Sequence, residues 1–283
     1  MIMEILTNKV IMITGATDGL GKLAAKRFAS RGATLLIHGR NKSKGEDTIA
    51  EIKKATGNDK LEYYNADLAS LDEVRAMAYS VLSKHDALHL LINNAGLGGG
   101  PKGSHKRELS HDGIELRFQV NYLSHFLLTY TLLPIIKEAA PSRIINVSSV
   151  GQQELDFSDI MFEKNYESFR AYRQSKLAQI MFTIDLAQEL EGAGVVVNSL
   201  HPATLMNTNM VYEFFGSTMS SVEEGADALE YVATSRETGN VTGKYFDQKR
   251  KAKANAQAYD HEARQRLREI SFRLAGLENT SGD

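Results

Sequence analysis

Apolar runs of about five residues alternate with longer stretches of helical periodicity along almost the whole chain. This alternation limits the fold more than any other feature, because it is the pattern of a parallel sheet wound with helices on both faces. Strands are predicted at "VIMIT" 10–14, "TLLIH" 34–38, "LEYYN" 61–65, "LHLLIN" 88–93, "RIINVS" 143–148, "VVVNSL" 195–200 and "GKYF" 243–246. Helical spacing falls near 20–30, 43–55, 71–85, 113–138, 170–191, 222–234 and 260–275. The strands are apolar on both faces, so both faces need a cover of helices. The expected fold is α/β: one doubly wound, seven-stranded parallel sheet. No Pro, Gly or Ser-rich linker, internal repeat or low-complexity tract divides residues 1–283, so one domain is expected.

Composition narrows the partners. A formal net charge of -2 gives no electrostatic footprint for nucleic acid or an anionic membrane. With no cysteine, disulfides, a thiolate nucleophile and thiolate-based zinc sites are excluded, and no metal is expected. "MIMEILTNKVIMITGA" is interrupted by Glu4, Asn8 and Lys9, unlike a signal peptide, and no apolar run approaches a membrane span. A soluble, cytoplasmic protein is expected. The basic run "KRKAKA" 249–254 reads as a solvated face.

The first strand runs into "TGATDGLG" 14–21 and then "KLAAKRFAS". Glycines 15, 19 and 21 permit a tight turn and close approach, while the following helix offers its N-terminus to a pyrophosphate. The Gly-x-x-x-Gly-x-Gly spacing differs from the general Gly-x-Gly-x-x-Gly pattern, so the strand-turn-helix context carries the reading. Gly15, Thr17, Asp18, Gly19, Leu20 and Gly21 are the candidate cofactor contacts here. At the end of the second strand, Gly39 leaves room and Arg40 offers a planar cation to a 2′-phosphate, which favours NADP(H) while leaving NAD(H) possible. The other reading of Arg40 is a surface arginine in a turn. "LLINNAG" sets Asn94, Ala95 and Gly96 at the carboxyl edge of the sheet, where such folds bind ligands.

Ser149, in "NVSS", reaches the same edge, although strand ends often use Ser as a cap. In "AYRQSKLAQI", Tyr172 and Lys176 stand four apart, on one face of a helix. Taken alone, such a pair is usually an ordinary helix-face contact. Taken together, a hydroxyl, a phenol and an ammonium converge where a nicotinamide would lie.

The ordered set "TGATDGLG", "NNAG", "FQVNYLSHFLL", "NVSS" and "YRQSK" resembles the short-chain dehydrogenase/reductase family over nearly the whole chain. The tail "VTGKYFDQKRKAKANAQAYDHEARQRLREISFRLAGL" resembles the branch of retinol dehydrogenases and related carbonyl reductases. The resemblance implies a Rossmann fold and a catalytic tetrad of Asn121, Ser149, Tyr172 and Lys176. It also implies an adenine contact at Asp67, with Leu68 beside it, and nicotinamide-side contacts from Tyr172, Lys176, Pro202 and Thr204. In this scheme Lys176 stabilises the phenolate and binds the ribose, Ser149 holds the substrate oxygen, and Asn121 fixes a water that links Lys176 to solvent.

Two departures stand out. "HPATLMNTNM" has Ala203 where the family has glycine, leaving open whether Thr204, Asn207 or Thr208 meets the cofactor. The stretch from Ser149 to Tyr172 is long. Segments 151–170 and 203–222 are therefore expected to set specificity. Leu205, Met206, Met210, Val211, Tyr212, Phe214, Phe215 and Met219 form either a lid over a lipophilic carbonyl or a short helix packed on the body. The loop "GLGGGPKGS" 96–104 is the expected opposite wall. The leading expectation is an NADP(H)-dependent carbonyl/alcohol oxidoreductase. A retinoid or hydroxysteroid-type dehydrogenase is the alternative among enzymes, and a non-catalytic NADP-binding regulator or scaffold the alternative outside them. The apolar helices at 113–138 and 170–191 make a homodimer or homotetramer possible.

Overall fold

The computed structural model describes residues 6–100, 106–208, 211–212 and 216–278. Its sheet comprises β1 (Val10–Ile13), β2 (Thr34–Gly39), β3 (Leu61–Asn65), β4 (Leu90–Asn93), β5 (Ser142–Val147), β6 (Val195–His201), β7 (Lys244–Asp247) and β8 (Arg250–Ala252), in the spatial order β3-β2-β1-β4-β5-β6-β7-β8. The pairs from β3 across to β7 are parallel. The chain winds outward from β1 in one direction and from β4 in the other. This reversal opens a crevice beyond the carboxyl ends of β1 and β4, the place where doubly wound sheets bind ligands.

Alternation within the strands explains the two layers. Ile11, Ile13, Leu35, Ile37, Leu90, Ile92 and Ile145 join one core cluster, whereas Met12, Leu36, Leu91 and Ile144 join the other. The first is closed by α1 (Gly19–Ser30) and α7 (Val222–Thr234), through Ala24, Phe28, Leu229 and Val232. The second lies under α3 (Leu71–Leu82), α5 (Ser124–Glu138), α6 (Ser168–Glu189) and α8 (His261–Ala275). Each such side chain contributes on the order of 1.5–3 kcal/mol on leaving water, so neither face tolerates exposure. The helix α2 (Lys42–Thr56) packs outside β2 and β3, starting at the Asn41 cap and stopping at Gly57 in the left-handed region.

Two expectations are corrected. The sheet has an eighth strand: Arg250–Ala252, part of the basic run read as a solvated face, pairs antiparallel with β7. A two-residue connection, Gln248 and Lys249, with Gln248 at φ 55°, turns the chain back. The strand has no apolar periodicity because it is an exposed edge, and cations there discourage pairing with another chain. The helix expected over 113–138 is not continuous. It opens with α4 (Leu116–Phe118), widens to a π-helical turn over Gln119–Leu123 and becomes α5 at Ser124. Asn121 sits in that turn, as polar residues at functional sites often do.

The apolar faces of α5 and α6 are packed by α8. Phe272 stacks edge-on against Phe126 at 5.1 Å between ring centres, Tyr122 Oη and Ser271 Oγ are 2.6 Å apart, and Arg264 Nε donates to Asp185 at 2.6 Å. Among the described residues, no helix is long and apolar enough to cross a membrane.

Candidate active site

The turn after β1 is held from three neighbouring strand ends. Gly15 has φ +64°, and a Cβ there would lie 2.8 Å from the Ala95 Cα; one on Gly21 would lie 2.4 Å from the Gly15 carbonyl oxygen. Side chains at either position would push the turn apart. Thr14 Oγ1 accepts the amides of Asn94 at 2.9 Å and Ala95 at 3.0 Å, while Asn94 Nδ2 donates to Thr14 O at 2.8 Å and Gly15 O at 3.2 Å. Gly15 N donates to His38 Nδ1 at 3.2 Å, so His38 must carry its proton on Nε2, facing Ala66 O at 3.0 Å. Burial lowers the His38 pKa to about 4, which keeps this tautomer neutral.

Asp18 caps α1, its Oδ1 accepting from Gly19 N at 2.8 Å, and its Oδ2 meets Lys44 Nζ at 2.7 Å. The acid beside the helix terminus is therefore matched by a cation. Gly19 faces Thr208 across the crevice, with Cγ2 3.2 Å from where a Cβ would stand. Thr17 covers Gly39, whose added Cβ would meet Thr17 Cγ2 at 2.6 Å, and Arg40 beyond it is exposed. Leu20 turns away into the core of α1 and α7. A side-chain-free turn, a helix N-terminus and an exposed guanidinium at the end of β2 fit a dinucleotide lying across the strand ends.

The four expected catalytic residues converge at the ends of β4 and β5. Ser149 lies just past β5; its Oγ accepts from Gly151 N at 3.0 Å, and both Ser149 Oγ and the Tyr172 ring border Gly151, 3.5 and 3.8 Å from where a Cβ would stand. Lys176, buried one turn along α6 from Tyr172, has Nζ 5.9 Å from that ring's centre. Lys176 Nζ donates to Val147 O at 2.9 Å and Gln179 Oε1 at 3.0 Å, so the ammonium is anchored between β5 and α6. Ser148 Oγ donates to Lys176 O at 2.7 Å and ties the same two elements. Asn121 accepts from Leu97 N through Oδ1 and donates through Nδ2 to Leu97 O at 3.0 Å and Ser175 Oγ at 2.9 Å. Ser175 Oγ in turn donates to Tyr172 O at 2.7 Å. A Cβ on Gly96 would meet Asn121 Oδ1 at 3.2 Å and Lys176 Nζ at 3.6 Å, so this strand end has no room for a side chain.

Burial dominates the electrostatics. It raises the Tyr172 phenol above its ordinary value, the nearby Ser149 hydroxyl acting in the opposite sense, and lowers the Lys176 ammonium to about 7. Phe169 stacks on Tyr172, with ring centres 5.9 Å apart.

Other expected contacts have local duties. Asp67 Oδ1 accepts from Ala69 N at 2.9 Å and Oδ2 is 4.0 Å from His111 Nε2; Leu68 is buried, its carbonyl accepting from Ser124 Oγ at 2.6 Å. Pro202 and Ala203 are buried after β6, and Thr204 Oγ1 pairs with His201 Nε2 at 3.1 Å. Of the expected lid, Met206 is pinned against Gly225 and the core, whereas Tyr212 and Met219 are exposed. Met210, Phe214 and Phe215 lie outside the described residues, as do positions 101–104 of the opposite wall.

Thr14, His38, His125 and Arg117 were not among the expected site residues. Thr14 Oγ1 already accepts two amides, so its proton goes to His125 Nε2 at 3.0 Å, and His125 Nδ1 donates to Asn121 O at 3.0 Å. Burial lowers His125 to about 3. One neutral imidazole thus couples the glycine turn to the Asn121 turn. The signal for it was its position, four residues after Asn121 in "NYLSH". Arg117 donates through Nε to Gly98 O at 2.8 Å and through Nη1 to Tyr166 Oη at 2.7 Å, joining the loop after β4 to the segment before α6.

A family model described as short chain dehydrogenase matches residues 9–217. Retinol dehydrogenase 13 of Mus musculus is 37% identical over 97% of this chain and 86% of its own. A 3-ketoacyl-(acyl-carrier-protein) reductase from Brucella melitensis, solved in complex with NADH, superposes with a TM-score of 0.69 at 27% identity, covering 86% of this chain and 97% of that one. A short chain dehydrogenase from Escherichia coli CFT073, complexed with NADPH, does so with a TM-score of 0.70 at 26% identity over 87% and 99%. Fold, strand-end crevice and sequence agree: the chain belongs to the short chain dehydrogenase family, on its retinol dehydrogenase-like side.

Proposed function

We propose that the protein is an NADP(H)-dependent oxidoreductase that interconverts a lipophilic aldehyde or ketone with its alcohol, Tyr172 giving or taking the proton. The observation that carries this reading is the meeting of Ser149, Tyr172 and Lys176 at one strand end, beside a glycine turn that fits a dinucleotide. A nicotinamide bound at the strand ends would supply the hydride chemistry, giving hydride to the carbonyl carbon or taking it from the alcohol. Ser149 Oγ holds the substrate oxygen and stabilises the charge that develops on it. The Tyr172 O–H bond breaks as its proton passes to that oxygen, completing the alcohol. In this reading Lys176, one helical turn from Tyr172, holds negative charge on the phenolate, and Asn121 keeps the wall at Leu97 and the Tyr172 helix in register. The exposed Arg40 favours a cofactor with a 2′-phosphate.

Similarity to retinol dehydrogenase 13 favours a retinoid among the lipophilic candidates, and the exposed Val150, Tyr212 and Met219 near the ends of β5 and β6 suit an apolar substrate. A cofactor-binding regulator would have no use for the buried lysine and the phenol. The test is oxidation of NADPH and NADH, separately, by purified protein against aliphatic, aromatic, steroidal and retinoid carbonyls. Faster consumption of NADPH supports the reading. NADH preference would remove the role given to Arg40, and binding of NADPH without turnover of any carbonyl would favour the regulator.

A further inference from the structure

Lys176 is buried, and among the described residues it has no counter-charge. Its two acceptors, Val147 O and Gln179 Oε1, are both neutral, and among the described residues no acid pairs with it. The titratable groups that face it are Tyr172 on its own helix and His125 from α5, a neutral imidazole; Tyr245 from β7 stands behind Ser149, donating to Ser149 O at 3.2 Å. None of them supplies negative charge to an ammonium at neutral pH. The ammonium form therefore depends on dipoles.

Gln179 sits three residues after Lys176 on the same face of α6 and is 1% exposed. Its Oε1 is used by Lys176, but its Nε2 has no hydrogen-bond partner among the described residues. An unsatisfied amide N–H in such a place destabilises the fold. Leucine or methionine would fill a similar volume without that cost. Reversing the amide would aim its N–H groups at the donor Nζ, so the orientation is set by Lys176. The chain keeps a destabilising amide whose oxygen serves the buried lysine.

We infer that Gln179 is a positioning residue for Lys176, its amide oxygen fixing Nζ against β5 and sustaining the charged form of the lysine. The hydrogen-bonded geometry is independent of the proposed reaction, while the kinetic consequence rests on it. A hydrogen bond to the charged form raises a lysine's pKa, and its loss lowers it. Burial already brings Lys176 to about 7. Losing the Gln179 oxygen moves the transition down by about one pH unit, and a carboxylate in its place moves it up by about one or more.

The experiment is a pH titration by NMR of the full chain carrying 13C-lysine, with Lys176 assigned by the loss of its signal in Lys176→Met. The parent is compared with Gln179→Leu, Gln179→Met and Gln179→Glu, alongside thermal unfolding. The expected result is a downward shift of about one pH unit in Gln179→Leu and Gln179→Met, at equal or higher melting temperature, and an upward shift in Gln179→Glu. The pH profile of kcat/KM shifts in the same directions. Transitions in the folded Leu and Met variants within about 0.3 unit of the parent would overturn the inference. So would failure of both variants to fold, since Gln179 would then be a structural residue. Shifted titrations in a chain that turns over no carbonyl would uphold Gln179 and sink the proposed reaction; unshifted titrations with normal turnover would do the reverse.

Discussion

At the scale of single residues, the polar groups of the strand-end crevice differ in what they give to stability and to chemistry. Tyr172→Phe removes one hydroxyl, keeps the ring stacked on Phe169, and should lower kcat by about 10²–10⁴ with NADPH affinity unchanged; stopped-flow turnover and fluorescence titration check the two halves. Arg40→Ala should weaken NADPH by about tenfold or more and leave NADH unaffected, measured as separate KM values. Lys176 destabilises the fold at neutral pH, because the unfolded chain holds its proton up to a pKa of about 10.4 whereas burial lowers the folded value to about 7. Between those values the unfolded state binds more protons, so stability rises with pH. Relative to Lys176→Met, the parent should gain up to about 1.4 kcal/mol per pH unit in that window, read from urea unfolding at pH 7, 8 and 9. His38 and His125 act lower on the scale. Both are neutral in the fold, at about 4 and about 3, and take up protons on unfolding near 6.5, so stability falls as pH drops below that point.

At the scale of elements, the β1–α1 turn is the most constrained piece. Its Gly15 amide is held by His38 and its Thr14 and Gly15 carbonyls by Asn94, and Gly21 packs where a methyl group would strike main-chain atoms that cannot rotate away. Gly21→Ala should therefore cost about 1–3 kcal/mol and weaken cofactor binding, whereas Gly57→Ala, with open space around it, should cost only the strain of its left-handed backbone. Denaturant unfolding of the two variants separates crowding from backbone strain. The π-helical turn over Gln119–Leu123 has a different role. It carries Asn121, whose side chain holds Leu97 and Ser175 while its carbonyl accepts from His125.

At the scale of the whole molecule, α8 covers apolar surface of α5 and α6 that made pairing between chains an expectation. Phe126, Tyr130 and Phe182 are apolar enough to suggest pairing between chains, and in the structure Phe126 and Tyr130 pack against Phe272 of their own chain, Arg268 lies over Tyr130, and Phe182 packs against Phe126. The Arg264 to Asp185 and Arg268 to Glu189 ion pairs close the edges of that contact at 2.6 and 2.7 Å. Hydrogen exchange in α5 and α6 should therefore be independent of protein concentration. Removing residues 260–283 should expose the aromatic face and produce self-association by light scattering. Concentration-dependent protection of α5 in the intact chain would contradict this.

The sequence by itself determined the alternation of strands and helices, the seven parallel strands and the chemistry-bearing residues at their ends. Those properties are local: periodicity 2 or 3.6, a glycine where a turn is tight, and Tyr172 and Lys176 one turn apart. Tertiary structure alone decided what has no local signature. The edge strand β8 pairs through its main chain and carries no apolar pattern. His125 and Gln179 look like ordinary helix residues until folding brings Thr14 and Asn121 to one and sets the other's amide oxygen against a buried lysine. The face of α5 and α6 was legible as apolar, but not as covered by α8, because apolar area drives burial without specifying the partner.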